Sequence, residues 1–201
     1  MSTSNSTVAC LGGGLIGRSW AVLFLAAGHN VNIYDVDPGA EPRIAETINS
    51  AWPVLKALRL TKLDSAPANW KFCSDPKEAV KGALFIQESI PEQIALKREL
   101  YAVIEPVLES DAIVASSASG LTLSELQTGW KNPARFVLGH PFNPPHLIPL
   151  VEVMGNEKTA SGVVDEARKF YEAAGKVTIE VKREVPGHVA NRLQAALWRE
   201  A

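Results

Sequence analysis

The sequence predicts an α/β fold in which helices cover both faces of a mostly parallel, doubly wound sheet. Short apolar runs typical of buried strands alternate with segments of helical periodicity up to about residue 181. The first strand and helix are joined by a turn with three glycines, and an acidic residue follows the second apolar run. With 201 residues and 46% hydrophobic content, the chain can bury one large core.

The elements that flank the glycine turn have the clearest patterns. Residues 8–11 form an apolar run typical of a buried strand, the apolar residues of 15–27 recur near the helical period, and residues 31–34 repeat the strand pattern. Beyond them we predict helices at 41–60, 75–81, 91–108, 121–127 and 161–174, and strands at 69–73, 83–87, 112–115, 136–138, 150–154 and 177–181.

Asp75 is expected to cap helix 75–81, and Pro91 to open helix 91–108. A last helical pattern begins after Pro186 and Gly187, and its apolar residues have no visible partner. We therefore expect residues 1–184 to form one domain. Residues 185–201 are expected to begin a truncated C-terminal helical domain whose remainder is absent.

The glycine turn has the spacing of a Rossmann-type dinucleotide site. Gly12 permits a tight turn, Gly14 lets backbone N–H groups approach a pyrophosphate, and Gly17 lets the helix pack closely on the strand. The positive end of the helix, at Leu15 and Ile16, favours the charge of a phosphate.

Asp35 follows the second strand, about 20 residues beyond the glycines, where a carboxylate accepts hydrogen bonds from the adenosine ribose of a dinucleotide. A 2′-phosphate at this place would meet like charge, and the next three residues include no arginine. The sequence therefore predicts NAD rather than NADP. An ordinary glycine turn with a solvated Asp35 is the alternative.

Composition excludes several classes of partner. The net charge is −2, and the lysines and arginines are scattered, so neither nucleic acid nor an anionic membrane is expected. No apolar run approaches a membrane span of roughly 20 residues, and the N-terminus lacks a secretion signal, so we expect a cytoplasmic protein. Cys10 and Cys73 fall within predicted strands and are expected to be reduced, buried thiols without metal-ligand spacing.

A second group of chemically active residues lies late in the chain. His140 is placed in a proline-rich loop (GHPFNPP, 139–145), and Glu152 in an apolar strand (PLVEV, 149–153). A buried glutamate needs a partner, and an imidazolium would supply one. The carboxylate would in return orient the ring and raise the pKa of His140, as a general base requires. A purely structural pair is the alternative.

Four motifs carry a resemblance to a known family: the glycine turn, HPFNPP, PLVEV and the segment PGHVANR (186–192). Together they resemble the 3-hydroxyacyl-CoA dehydrogenase family over essentially the whole chain. The resemblance implies an NAD-dependent oxidoreductase and a homodimer formed through a C-terminal helical domain. It also implies that His140 takes the proton of a substrate 3-hydroxyl while C3 gives its hydride to NAD, and that Glu152 stabilises the imidazolium.

Four further residues are assigned by the same resemblance. Ser119 and Asn191 match family residues that hydrogen-bond the reacting oxygen of the substrate. Glu92 and Lys97 match residues that line the cofactor cleft in the helix after the fourth strand. The alternatives are a turn serine, an amide on a helix surface and a solvated helix face.

The remaining histidines and tryptophans receive no function from the sequence. None of the three other histidines has a comparable partner, and His29 is expected in an exposed turn. The tryptophans are expected to be packing residues, because no basic cluster accompanies them. They are Trp52, Trp70, Trp130 and Trp198.

Departures within the motifs bear on the substrate. The chain differs from the fatty-acid enzymes at HPFNPP, at Ile148-Pro149 and at Ser117. Its segment IGRSWA resembles the lambda-crystallin and L-gulonate 3-dehydrogenase branch, which includes carnitine dehydrogenases. That resemblance implies a small free 3-hydroxy acid as substrate. An L-3-hydroxyacyl-CoA dehydrogenase of fatty-acid β-oxidation and a non-catalytic, crystallin-like NAD-binding protein are the alternatives.

Overall fold

The alternating apolar strands and amphipathic helices assemble around one eight-stranded sheet in the computed structural model, which describes residues 6–201. The strands are β1 (Thr7–Leu11), β2 (Asn30–Tyr34), β3 (Trp70–Cys73), β4 (Phe85–Glu88), β5 (Ile113–Ser116), β6 (Phe136–Pro141), β7 (Leu150–Met154) and β8 (Val177–Glu180). The helices are α1 (Leu15–Ala26), α2 (Ala40–Ala57), α3 (Pro76–Val80), α4 (Ile94–Ile104), α5 (Leu123–Leu126), α6 (Val163–Ala173) and α7 (Ala190–Glu200).

The strand order is β3-β2-β1-β4-β5-β6-β7-β8, and the only antiparallel pair in this sheet of the described residues is β6 with β7. The chain runs outward from β1 to β3, returns to β4 beside β1, and then proceeds in the other direction. A crevice therefore opens at the carboxyl ends of β1 and β4, where such sheets bind their ligands. The predicted doubly wound, mostly parallel fold is confirmed.

Aromatic side chains fill the core on the α1 face of the sheet. Trp20 and Phe24 are fully buried and stack with ring centroids 5.3 Å apart, and Phe85 stacks on Phe170 at 3.9 Å. Burying one such side chain contributes about 1.5–3 kcal/mol. A second cluster of buried apolar residues, which includes Tyr101 of α4, covers the opposite face. Both faces of the sheet are thus closed, and the strand ends remain open.

Some predicted boundaries were wrong. Helix α4 begins at Ile94, because the extended backbone of Gln93 precedes it, and Pro91 lies in the turn before it. Strand β6 continues to Pro141, so His140 lies in a strand and not in a loop. Asp75 caps α3 as predicted, its carboxylate accepting from the Lys77 N–H at 2.9 Å.

The prediction of an exposed His29 was also wrong. Its ring is buried, 5.2 Å from the ring of Phe170, and its Nδ1 lies 3.0 Å from the Ser6 hydroxyl. Trp198 on α7 is 70% exposed, so it does not pack among the described residues as predicted. Cys10 and Cys73 are free and buried as predicted, and burial raises the pKa of both thiols.

Helix α7 has no buried residue, and it exposes Leu193 and Leu197 beside Trp198. Among residues 6–201, no helix is both long and apolar enough to cross a lipid bilayer.

Candidate active site

A cavity of about 890 Å³ occupies the crevice at the carboxyl ends of the central strands. Asp35 lines it on the β2 side, and His140 and Asn191 line it on the β6 side. Most of the residues that the sequence singled out therefore meet around a single space. This is the position that the strand topology predicts for a ligand.

Two of the three glycines are required by close backbone contacts. Gly12 has a φ of +101°, and a Cβ atom there would lie 2.8 Å from the carbonyl of Ser89. A Cβ at Gly17 would lie 1.7 Å from the carbonyl oxygen of Gly12. A Cβ at Gly14 would meet nothing within 4 Å, because this residue faces the open cavity.

The amino end of α1 is available to a ligand. The first N–H groups of a helix have no intrahelical partner, and here no side chain caps them; Leu15 and Ile16 line the cavity beside them. Unpaired N–H groups and the helix dipole together favour an anionic group such as a pyrophosphate. The residues present thus fit a dinucleotide at the place that the sequence predicts.

The carboxylate of Asp35 is held in place by two backbone N–H groups. One oxygen accepts from the N–H of Gly13 at 2.6 Å, and the other accepts from the N–H of Asp37 at 2.9 Å. Arg43 approaches this corner, but it is engaged by Asp37 at 2.5 Å. Asp35 therefore presents a fixed negative charge to the cavity, which suits ribose hydroxyls and opposes a phosphate.

His140 lies directly opposite Glu152 in the antiparallel register of β6 and β7. Its Nδ1 is 2.7 Å from Glu152 Oε2, and its Nε2 is 2.8 Å from Ser119 Oγ. Asn191 Nδ2 donates to the same hydroxyl at 3.0 Å. Since the carboxylate can only accept, Nδ1 carries the hydrogen, and in a neutral ring Nε2 then accepts a hydrogen bond from the Ser119 hydroxyl.

Glu152 is fully buried and ionised. Burial alone would raise its pKa, but the bond from His140 and two backbone N–H groups outweigh burial and lower the pKa below its usual value. Those N–H groups belong to Val189 and Ala190, at 3.0 and 2.9 Å. The segment that leads into α7 therefore completes the environment of the carboxylate.

Glu92 is exposed, but it lies before α4 and its carboxylate holds the turn that carries Ser119. Its carboxylate accepts from the N–H groups of Ser119 at 3.0 Å, of Gly120 and of Leu121 at 2.9 Å. Burial raises the pKa of Glu92, and these three bonds outweigh burial and lower it. Glu92 lines the cavity, and through the N–H of Ser119 it also fixes the position of that residue.

Lys97 lines the cavity, but its ammonium group is buried beneath the cavity. Its Nζ lies 2.5 Å from Glu88 and also donates to the carbonyl of Ile90 at 3.2 Å. Glu88 accepts in addition from Tyr101 at 2.5 Å and from Ser116 at 2.7 Å. Sequence reasoning assigned no structural role to Glu88, although a glutamate in an apolar strand was the signal that pointed to Glu152.

A second buried network was also missed. Tyr171 donates to Gln87 at 2.6 Å, and the amide of Gln87 donates to the Ser117 hydroxyl at 2.9 Å. The Ser117 hydroxyl is also 2.8 Å from that of Ser89 and accepts from Trp20 at 3.2 Å. These contacts tie the ends of β4 and β5 together directly beneath the cavity, so the turn above them has a rigid support.

Comparison with known proteins agrees with this geometry. The family model of the 3-hydroxyacyl-CoA dehydrogenase NAD-binding domain matches residues 7–185. An L-carnitine dehydrogenase of Streptomyces coelicolor is 48% identical over 96% of this chain, and that of Pseudomonas aeruginosa is 43% identical over 99%. The chain spans 61% and 62% of the lengths of these two relatives.

Two solved structures share the fold. A 5-formyl-3-hydroxy-2-methylpyridine 4-carboxylic acid 5-dehydrogenase, an NAD+-dependent dismutase, superimposes with a TM-score of 0.90 at 36% identity, over 96% of this chain and 63% of the other. A diketoreductase superimposes with a TM-score of 0.82 at 28% identity, over 97% and 70%. Because the family model spans nearly the whole chain, the chain belongs to the 3-hydroxyacyl-CoA dehydrogenase family, whose NAD-binding domain it contains.

Proposed function

We propose that this chain is the NAD-binding part of a dehydrogenase that oxidises the 3-hydroxyl of a small free hydroxy acid of the L-carnitine type. The observation that carries the proposal is one continuous cavity that is lined both by the dinucleotide turn and by His140, whose ring is paired with the buried Glu152. The L-carnitine dehydrogenases at 43–48% identity support the same choice of substrate. Membership of the lambda-crystallin and L-gulonate branch stays a prediction.

The glycine turn and Asp35 would hold NAD, whose nicotinamide ring accepts a hydride when bound. His140 Nε2 then takes the proton of the substrate hydroxyl, and in the reverse direction it returns that proton. Glu152 orients the ring through Nδ1. Its negative charge stabilises the imidazolium, because the carboxylate is bonded to Nδ1 where both side chains are buried. The substrate oxygen displaces the Ser119 hydroxyl from Nε2, and Ser119 and Asn191 donate hydrogen bonds to it.

The charges around the cavity favour a cationic or zwitterionic substrate. Besides Asp35, which is assigned to the ribose, Glu92 and Glu99 line it, and Lys97, the one lysine or arginine among its described lining residues, is paired with Glu88. No free cation in this part of the chain is placed to meet the phosphates of a coenzyme A thioester. A quaternary ammonium group, by contrast, would meet complementary charge.

We also propose that residues 1–184 form the NAD-binding domain and that residues 185–201 begin a helical domain that completes the site; residues 1–5 lie outside the described part. The exposed apolar residues of α7 and the greater length of the relatives support this division. A homodimer formed through the helical domain belongs to the same proposal. A cytoplasmic location does too, and two free, buried cysteines are consistent with a reducing compartment.

Steady-state kinetics of the full-length protein tests the proposed substrate. We expect NAD reduction with L-carnitine to have a higher kcat/KM than with L-gulonate or 3-hydroxybutyrate, and than NADH oxidation with acetoacetyl-CoA. A much higher value with acetoacetyl-CoA would contradict the small-acid proposal in favour of the acyl-CoA enzyme. Micromolar NADH binding without turnover of any of these compounds would instead favour a non-catalytic protein.

The Asp35→Asn variant tests the predicted preference for NAD. The amide keeps the size of the side chain but removes its charge, so we expect NADH affinity to fall about ten-fold and discrimination against NADPH to relax. Fluorescence titration with both nucleotides measures the ratio. Glu41→Gln is the matched control, since Glu41 is an exposed acid at the start of α2 that does not line the cavity. An unchanged NADH to NADPH ratio in Asp35→Asn would count against the assignment.

A further inference from the structure

His188, which the sequence left without a partner, lies beside His140. It is 1% exposed, and the centroids of the two imidazole rings are 5.0 Å apart. Its Nε2 lies 3.0 Å from the carbonyl oxygen of Ala118, the residue before Ser119. Its backbone is left-handed, with φ of +48°, as the chain turns into α7. The ring therefore links that turn to the turn that carries Ser119.

The contacts of His188 define its proton state. A carbonyl oxygen only accepts, so Nε2 carries a hydrogen. Nδ1 is buried and has no hydrogen-bond partner among the described residues. A second proton would therefore place an N–H at Nδ1 with no acceptor, a costly arrangement in a buried site.

The charged groups that face His188 come from three other segments. They are His140 on β6, Glu152 on β7 and Glu92 in the segment before α4. Burial is the main cause that lowers the pKa of His188. The bond to Ala118 opposes it, His140 lowers the pKa further, and the two carboxylates raise it without reversing the direction. Because the Glu152 carboxylate is bonded to His140 and to backbone N–H groups, it has no bond to His188.

We propose that His188 is a positioning residue for the reaction and that only one of the two neighbouring imidazoles, His140 or His188, carries a positive charge at a time. While uncharged, His188 holds the Ala118 carbonyl, and thereby Ser119, against His140 Nε2. It also leaves His140 as the ring that takes the proton. A proton on His188 disfavours the imidazolium of His140, so the pair titrates in two coupled steps. The inference rests on the proposed function, in which His140 is the base.

NMR titration of the imidazole resonances of the protein without nucleotide or substrate tests the coupling. The four histidines are assigned from single variants. In the wild type, the His140 resonances should show a second inflection at the pH where His188 titrates. That inflection should be absent in His188→Phe. In His140→Gln, the titration midpoint of His188 should move to higher pH, because the competing charge is gone.

The matched control is His29→Phe, which removes another buried histidine whose pKa is lowered by burial, at the opposite end of the strands from the cavity. It should leave both titrations unchanged. A His188 midpoint that is the same with and without His140 would overturn the coupling. If His140→Gln does not fold, the wild type decides, since a single inflection for His140 overturns it as well. No turnover is measured, so a failure of the proposed substrate would not affect this result.

Discussion

Replacing His140 by glutamine is expected to lower turnover of the hydroxy acid by about 10²–10⁴-fold, the usual contribution of a general base. Glutamine can hydrogen-bond to Ser119, but it cannot take the proton of the substrate. His140 lies on β6, and two strands, β4 and β5, separate it from β1, whose end carries the glycine turn; Asp35, after β2, is one strand further away. The affinity for NADH, measured by fluorescence titration, should therefore change little.

His29→Gln is the control for this comparison, because His29 is a buried histidine outside the cavity lining. It should keep turnover close to that of the wild type once the fraction of folded protein is matched. If His140→Gln retains wild-type turnover and its pH dependence, His140 is not the base. The pair with Glu152 would then be structural.

Replacing Gly17 by alanine is expected to destabilise the domain and remove NADH binding together. The added Cβ would lie 1.7 Å from the carbonyl oxygen of Gly12, a backbone atom that cannot move without opening the turn. We expect a loss of stability of about 4 kcal/mol or more, the range reached when a special backbone contact is broken. Denaturant unfolding and NADH titration measure the two effects.

Gly14→Ala provides the contrast. Gly14 has a φ of −66°, which alanine adopts readily, and its Cβ would meet no atom within 4 Å. The stability of this variant should stay near that of the wild type, while NADH affinity falls because a methyl group enters the space for the pyrophosphate. Wild-type stability in Gly17→Ala, or wild-type NADH affinity in Gly14→Ala, would contradict this account of the turn.

The sequence was sufficient wherever a local pattern determines the structure. The apolar runs located the strands, and the spacing of Gly12, Gly14 and Gly17 located the turn that lines the cavity. His140 and Glu152 lie on consecutive strands that pair in antiparallel register. Because the two residues are close in sequence, their residue types alone were enough to suggest the contact.

Contacts between distant segments were not predicted, apart from those that the family resemblance implied for Ser119 and Asn191. Glu92 hydrogen-bonds to the turn at 119–121. Lys97 has the sequence position of a solvated residue on α4, but its side chain is buried against Glu88 on β4. A helical pattern reports which positions are polar, and it does not report which of them face an acid across the fold. His188 was missed for the same reason, since its partner Ala118 is 70 residues away.

A crystal structure with NADH bound is the most direct test of the central claim, that His140 faces the nicotinamide of a dinucleotide held by the glycine turn. We predict the pyrophosphate against the N–H groups at the start of α1 and the adenosine ribose on Asp35. The nicotinamide should lie beside His140 Nε2, with Glu152 still bonded to Nδ1. A complex in which the imidazole points away from the nicotinamide, or in which the dinucleotide lies outside the cavity, would contradict the claim.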